Sequence, residues 1–190
     1  DIELKGIKFK RMPRSIVDTG YGLERLVWAS QGTPTIYEAV FPDAVSHLTE
    51  LTNLKDSLEN SSSIISENAK ICGVLSIDYG SDLTELRQKV LDRLNAAGHS
   101  MTLPEFTATI EPLEKLFAVV DHSRALAFMF GDGIVPSNVK AGYLARMVLR
   151  RTALLLRDLD AQDALSEMVS HHIDTLSGTY PEIGANKAHI

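Results

Sequence analysis

Two stretches of this chain carry residue types that call for a partner. The first is VDTGYGLERLVW, residues 17–28, which sets Asp18, Gly20, Gly22 and Arg25 at the mouth of an apolar repeat with helical spacing. Glycine at a strand-to-helix junction admits positive φ and lets a ligand approach the backbone closely. The free N–H groups of a helix start favour an anion. Arg25 falls in the first or second turn, where the helix dipole disfavours a cation by a few tenths of a kcal/mol up to ~1. An anion nearby would account for it, and Asp18 could hold a ligand's ammonium group. The spacing alone also allows a plainer arrangement, in which Asp18 or Thr19 caps the helix and Arg25 pairs with surface acids.

The second stretch is DHSRALAFMFGDGIVPSNVKAGYLARMVLRR, residues 121–151. Asp132-Gly133 is turn chemistry, and Ser137 or Asn138 is placed to cap the helix that follows. On that helix Arg146, Arg150 and Arg157 fall within about 40° of one another, with Leu144, Val148 and Leu155 opposite. This predicts a guanidinium face backed by a core face. Residues 133–157 carry Lys140, Arg146, Arg150, Arg151 and Arg157 and no acid. Guanidinium forks suit phosphates and base edges. A merely solvated face is the alternative, which the missing acids disfavour. Arg151 falls off the stripe, toward a partly buried ion pair, with Asp121 as the candidate partner.

The elements that must position these residues are mainly helical. ELKGIKFKRMPRSIV alternates imperfectly, changes phase at Gly6 and predicts one or two short strands ending at Pro13 to Val17. A helix follows from Gly22 to about Gln31, stopped by Gly32 and Pro34. Val45, Leu48, Leu51, Leu54 and Leu58 predict a helix after Pro42 with Asp43 as its cap. Ser61 to Ser63 is a polar break before a helix over 64–75. Leu83, Leu86, Val90, Leu91 and Leu94 mark another, closed by Gly98. Pro104 opens a long helix through Phe130, with a break possible at Pro112. Helices over 143–159 and 164–176 complete a bundle joined to a short β piece.

Composition narrows the function classes. The formal net charge of −6 has the wrong sign for a protein that coats nucleic acid, but local basic patches can still grip a polyanion. Besides the 133–157 run, KGIKFKRMPR near the start is basic. No apolar run reaches the roughly 18 residues of a membrane span. The single cysteine, Cys72, reads as a buried small hydrophobe and fits a reducing, cytoplasmic setting. The chain opens on Asp1 inside strand-like sequence, which suggests a piece of a longer protein.

Other tempting residues have plainer readings. His171 and His172 lack a partner at metal spacing and are expected at the surface or in capping roles. His122 is expected to make a structural hydrogen bond. Trp28 and Tyr143 are expected to pack, although Tyr143 could stack on a sugar edge. Ser61 to Ser63 is a loop with no histidine placed to activate a nucleophile.

The two stretches together resemble one family. VDTGYGLERLVW followed by GTPTIYEAVFPD resembles motif 3 of the alanyl-tRNA synthetases, class II enzymes, in archaeal form. DHSRALAFMFGDGIVPSNVKAGYLARMVLRR resembles that family's most recognisable helical segment, in the domain that reads the tRNA acceptor stem. The resemblance covers roughly residues 15–43 and 118–152. It implies a mainly α fold, in which the short N-terminal β segment is left over from the class II catalytic sheet. It also implies a boundary, with residues 1–42 the edge of the catalytic domain and 43–190 a helical recognition domain.

Roles follow from the resemblance position by position. Arg25 looks like the catalytic arginine that contacts the ATP phosphate tail, and Asp18 like the acid that binds alanine's amino group. Gly20 and Gly22 look like glycines lining the alanine and adenylate pocket. Asn138 looks like the asparagine that reads the wobble G·U pair of the tRNA(Ala) acceptor stem, and Arg150 like the arginine assisting there. Arg146 and Arg157 would hold the RNA backbone beside them. The parent activates alanine with ATP and Mg²⁺ and esterifies it to tRNA. Class II motifs 1 and 2 are not seen before residue 15, nor are the histidine and cysteine pairs of the zinc editing domain. The 190 residues are therefore expected to lack alanylation activity alone and to bind no metal. A stand-alone RNA-binding module and a helical protein-interaction module are the competing readings.

Overall fold

The computed structural model describes residues 2–4, 7–9, 20–74 and 83–189. Asp18, Thr19 and the expected strand end at Pro13 to Val17 lie outside these residues, as does the Cys72 side chain. The fold is mainly α. Strands β1 (Ile2–Leu4) and β2 (Ile7–Phe9) pair antiparallel, with Ile2 opposite Phe9 and Leu4 opposite Ile7. The helices are α1 (Leu23–Gln31), α2 (Ile36–Val40), α3 (Pro42–Leu51), α4 (Lys55–Asn60), α5 (Ser62–Val74), α6 (Leu83–Ala96), α7 (Leu103–Gly131), α8 (Lys140–Asp158), α9 (Ala164–Ser177) and α10 (Pro181–Ala185).

Local chemistry sets the boundaries. Thr35 with Glu38 and Thr102 with Glu105 form reciprocal capping boxes at the starts of α2 and α7. The hydrogen bonds from Thr102 hold the Glu105 carboxyl below its ordinary range. Pro112 lies inside α7 without ending it. The apolar repeat from Val45 to Leu58 reads as one helix, but the structure divides it into α3 and α4. Asn53 takes a left-handed φ of 54° at the break, a conformation asparagine tolerates. Asp43 does not cap α3. The N-cap is Phe41, without a side-chain hydrogen bond, and Asp43 lies in the first turn.

Helix α7 is the centre of the molecule. Phe106, Ile110, Leu113, Leu116, Phe117, Val119 and Val120 from it join Val45 and Leu48 of α3, Val90, Leu91 and Leu94 of α6, and Met168 of α9 in one buried cluster. Further along, Leu126 and Ala127 meet Val169, Ile173 and Ile183 in a second cluster. Tyr37 stacks on Phe117 with ring centroids 4.9 Å apart. Burying such side chains is the main source of stability, at roughly 1.5–3 kcal/mol each.

Several single-residue expectations are corrected by this packing. His172 is not at the surface: it is 4 % exposed, its Nε2 lies 3.1 Å from the Val120 carbonyl, and its ring meets Phe41 edge-on. Burial drops its pKa to about 4. His171 is half-buried and stacks on His47, which in turn meets Glu167 at 2.9 Å. Tyr143 is exposed, not packed. Trp28 reaches only half-burial, with its indole N–H donating to the Thr33 carbonyl at 2.7 Å.

Candidate functional site

The loop after α7 and the start of α8 bring the second stretch together. Asp132 and Gly133 turn the chain, with Gly133 at φ 76° and its amide donating to the Phe130 carbonyl. Ile134 to Val139 then runs back along α8. The Ser137 amide donates to the Gly142 carbonyl at 2.9 Å, and the Ser137 hydroxyl closes a small turn onto Val139. Neither Ser137 nor Asn138 caps α8; the N-cap is Val139, without a side-chain hydrogen bond. Gly142 is needed for this arrangement. A Cβ there would stand 2.5 Å from the Val135 carbonyl oxygen and closer still to the Ser137 hydroxyl.

Asn138 is thereby held beside the arginine stripe. Its side-chain carbonyl accepts a hydrogen bond from an Nη1–H of Arg146. Arg146, Arg150 and Arg157 are all exposed on α8. Among the described residues, Arg146 and Arg150 have no carboxylate within ion-pair distance. Arg157 does meet one: Asp158, at 3.5 Å, which is also 3.4 Å from Lys115. The cationic surface is therefore most open nearest Asn138 and fades toward the C-terminal end of α8.

The opposite face differs from the sequence expectation. Val148 and Leu155 are half-buried, but Leu144 is exposed. The buried line is Gly142, Ala145, Thr152 and Leu156, and Leu155, Val148 and Leu149 pack against the two buried clusters beside it. Sequence reading missed a second outward feature, the exposed Tyr143, Met147 and Leu154, which lie at helical spacing next to Arg150. Their four- and seven-residue spacing is the signal, but a leucine and a methionine on a helix are ordinarily read as core.

The remaining polar residues of the stretch have structural settings. Arg151 is exposed and makes no ion pair with Asp121 among the described residues. It lines an open cleft of about 570 Å³ with Arg87, Glu111, Glu114, Lys115 and His122. Arg87 is anchored there by Glu114 at 2.8 Å. Among the described residues the buried His122 Nδ1 has no hydrogen-bond partner, contrary to expectation, and burial lowers its pKa. Arg124 lies over the rings of Phe41 and Phe128, at 5.1 and 5.6 Å.

The first stretch is partly described. Gly22 is the N-cap of α1 at φ 73°, and no side chain caps it. Arg25 is exposed and folds its side chain beside Gly22, where a Cβ would be 3.6 Å from the Arg25 Cδ. Among the described residues no side chain caps these first-turn amides and no carboxylate pairs with the Arg25 guanidinium, an arrangement that suits a phosphate. Gly20 is exposed with open space around its Cα. Nothing in α1 is buried, and Leu23 and Leu26 are 72 % and 59 % exposed. The nearby cavity of about 290 Å³ is lined by Trp28, Thr35, Tyr37 and Phe117 among others, and by none of Gly20, Gly22 or Arg25.

A family model described as tRNA synthetases class II (A) matches residues 3–190. The chain belongs to the class II tRNA synthetases. It is 49% identical over 188 residues to an alanine–tRNA ligase of Methanosarcina acetivorans, covering 98% of this chain and 20% of that protein. An alanine–tRNA ligase of Methanosarcina barkeri is 48% identical over the same share. One of Methanothermobacter thermautotrophicus is 43% identical over 181 residues, 95% of this chain and 19% of the relative. The chain thus spans about a fifth of the length of the curated relatives it matches. Within a class II synthetase, both stretches singled out by residue chemistry fall inside the matched region.

Proposed function

We propose that this chain is the part of an alanyl-tRNA synthetase that joins motif 3 to the helical reader of the tRNA(Ala) acceptor stem. The observation that carries the reading is the open guanidinium surface of Arg146 and Arg150 beside Asn138. A duplex RNA stem exposes a shallow minor groove, and a G·U pair leaves the guanine amino group there without the partner it has in G·C. An amide oxygen is an acceptor with two lone pairs, so the Asn138 carbonyl can take a guanine N–H while still accepting from Arg146. Arg150, with Arg157, would hold phosphates and set register. In this division residues 43–190 form the recognition domain and residues 1–42 the edge of the catalytic domain.

In the catalytic half, Arg25 would meet the ATP phosphate tail. Asp18 would hold the alanine ammonium, with Gly20 and Gly22 giving the backbone clearance. ATP supplies the phosphoanhydride that activates the alanine carboxylate. In the whole enzyme ATP would be used together with Mg²⁺. The substrates and partners of the whole enzyme are then tRNA(Ala), alanine and ATP, in the cytoplasm.

The test is Asn138→Ala in the enzyme that contains this chain. Discrimination of a G·U from a G·C acceptor stem should fall by about 1–3 kcal/mol in kcat/KM, the worth of a good base contact. Unchanged preference between the two stems would remove Asn138 from the role.

A further inference from the structure

We propose that Arg146 is a positioning residue that fixes which end of the Asn138 amide faces the RNA. This rests on the reading of Asn138 as the base reader. A primary amide presents an acceptor at one end and two donors at the other, and a half-turn about its last bond exchanges them. Exposed and untethered, Asn138 would sample both. A guanidinium has only donors, so it can bond the amide oxygen and never the amide nitrogen. The Arg146 Nη1–H to Asn138 Oδ1 hydrogen bond therefore selects one of the two orientations.

Three features support the assignment. Arg146 has no carboxylate partner among the described residues, so nothing pulls its fork away from Asn138. It stands two helical turns into α8, a rigid element, while Asn138 stands on the loop, so the helix lends its order to the loop. The loop backbone is itself pinned to α8 through the Ser137 amide and the Gly142 carbonyl. The charge on Arg146 also polarises the amide and makes the remaining lone pair of Oδ1 a directed acceptor. A G·U pair offers its free guanine amino group to an acceptor. A reversed amide would offer N–H donors to that same amino group and gain nothing from it. Fixing the amide thus converts an adaptable polar contact into one that separates G·U from G·C.

This role differs measurably from a phosphate contact. A phosphate-bound arginine gives sequence-independent affinity, and its loss weakens both stems alike and lowers the salt slope by about one. A positioning arginine gives preference. The experiment measures binding of the 190-residue chain to two acceptor-stem duplexes, differing only in G·U or G·C, for wild type, Arg146→Ala, Arg146→Lys and Asn138→Ala over a salt series. Side-chain amide NMR of Asn138 in the free chain accompanies it.

For Arg146→Ala we expect the G·U preference to drop about tenfold, in the range of a single base contact. The salt slope should stay unchanged and the Asn138 amide should become more mobile. Arg146→Lys, which keeps a donor, should recover part of the preference. The Asn138→Ala, Arg146→Ala double variant should be no less selective than either single change, because both remove the same contact. Equal weakening of both stems with a reduced salt slope, or an Asn138 amide indifferent to Arg146→Ala, would overturn the positioning role. If Asn138→Ala itself keeps the preference, or the chain binds neither duplex, the reading of the reader site fails and this inference falls with it.

Discussion

At the residue scale, Arg146 and Arg150 find no carboxylate partner among the described residues and stay open to an anion from outside the fold. An acid-free run of arginines with Asn138 just ahead of it is visible in the string of letters, and the structure puts those groups on one open surface. What the letters did not carry was the tie between Arg146 and Asn138, because it depends on the path of a loop. His172 shows the same limit more sharply. Beside a second histidine it reads as a surface residue, yet tertiary packing against Phe41 and Val120 buries it. Its pKa, lowered to about 4 by burial and then by His171 and Arg124, has a consequence for stability. The unfolded chain takes up a proton on this ring near pH 6.5, and the folded chain does so only near 4. The stabilising effect is therefore full above pH 6.5 and is lost as the pH falls toward 4. Urea unfolding at pH 7 and pH 5 should differ by ~1–2 kcal/mol through this residue, allowing for water at the ring edge. His172→Gln should flatten that difference.

At the scale of elements, helix existence was legible and helix faces were not. Glycines and prolines located α1 and α7, and the apolar spacing located α6 and α9, while the short α2, opened by the Thr35–Glu38 capping box, was not foreseen. The split between α3 and α4 was hidden because Leu54 and Leu58 continue the repeat across a left-handed asparagine. On α8 the arithmetic of angles was correct, but leucine was taken as the mark of the core. The helix buries Gly142, Ala145, Thr152 and Leu156, while Leu144 lies outside. Gly142 leaves room for the returning loop. Gly142→Ala should push Ser137 and Val135 away and move Asn138 with them. Affinity for a G·C stem should change little while the G·U preference falls several-fold, about 1 kcal/mol for a displaced base contact. Circular dichroism should report an intact helix content, since alanine itself favours α8. The β segment was legible as alternation and is seen as a pair of short strands.

At the scale of the whole molecule, a net charge of −6 coexists with one basic helix face, and the face decides the partner. With two or three phosphates neutralised, a tenfold rise in salt should cost on the order of 100-fold in stem affinity. A flat salt response would leave only a helical bundle with a solvated flank. The long helix α7 has another consequence. It contributes side chains to both buried clusters, so neither can melt while the other keeps that helix intact. Heating should give one calorimetric peak, with van 't Hoff and measured enthalpies equal. The nine residues of α1, none of them fully buried, should already be frayed below that temperature, visible as early loss of amide protection. A single shaft running through two gearwheels turns them together, while a part resting on the casing is free to slip.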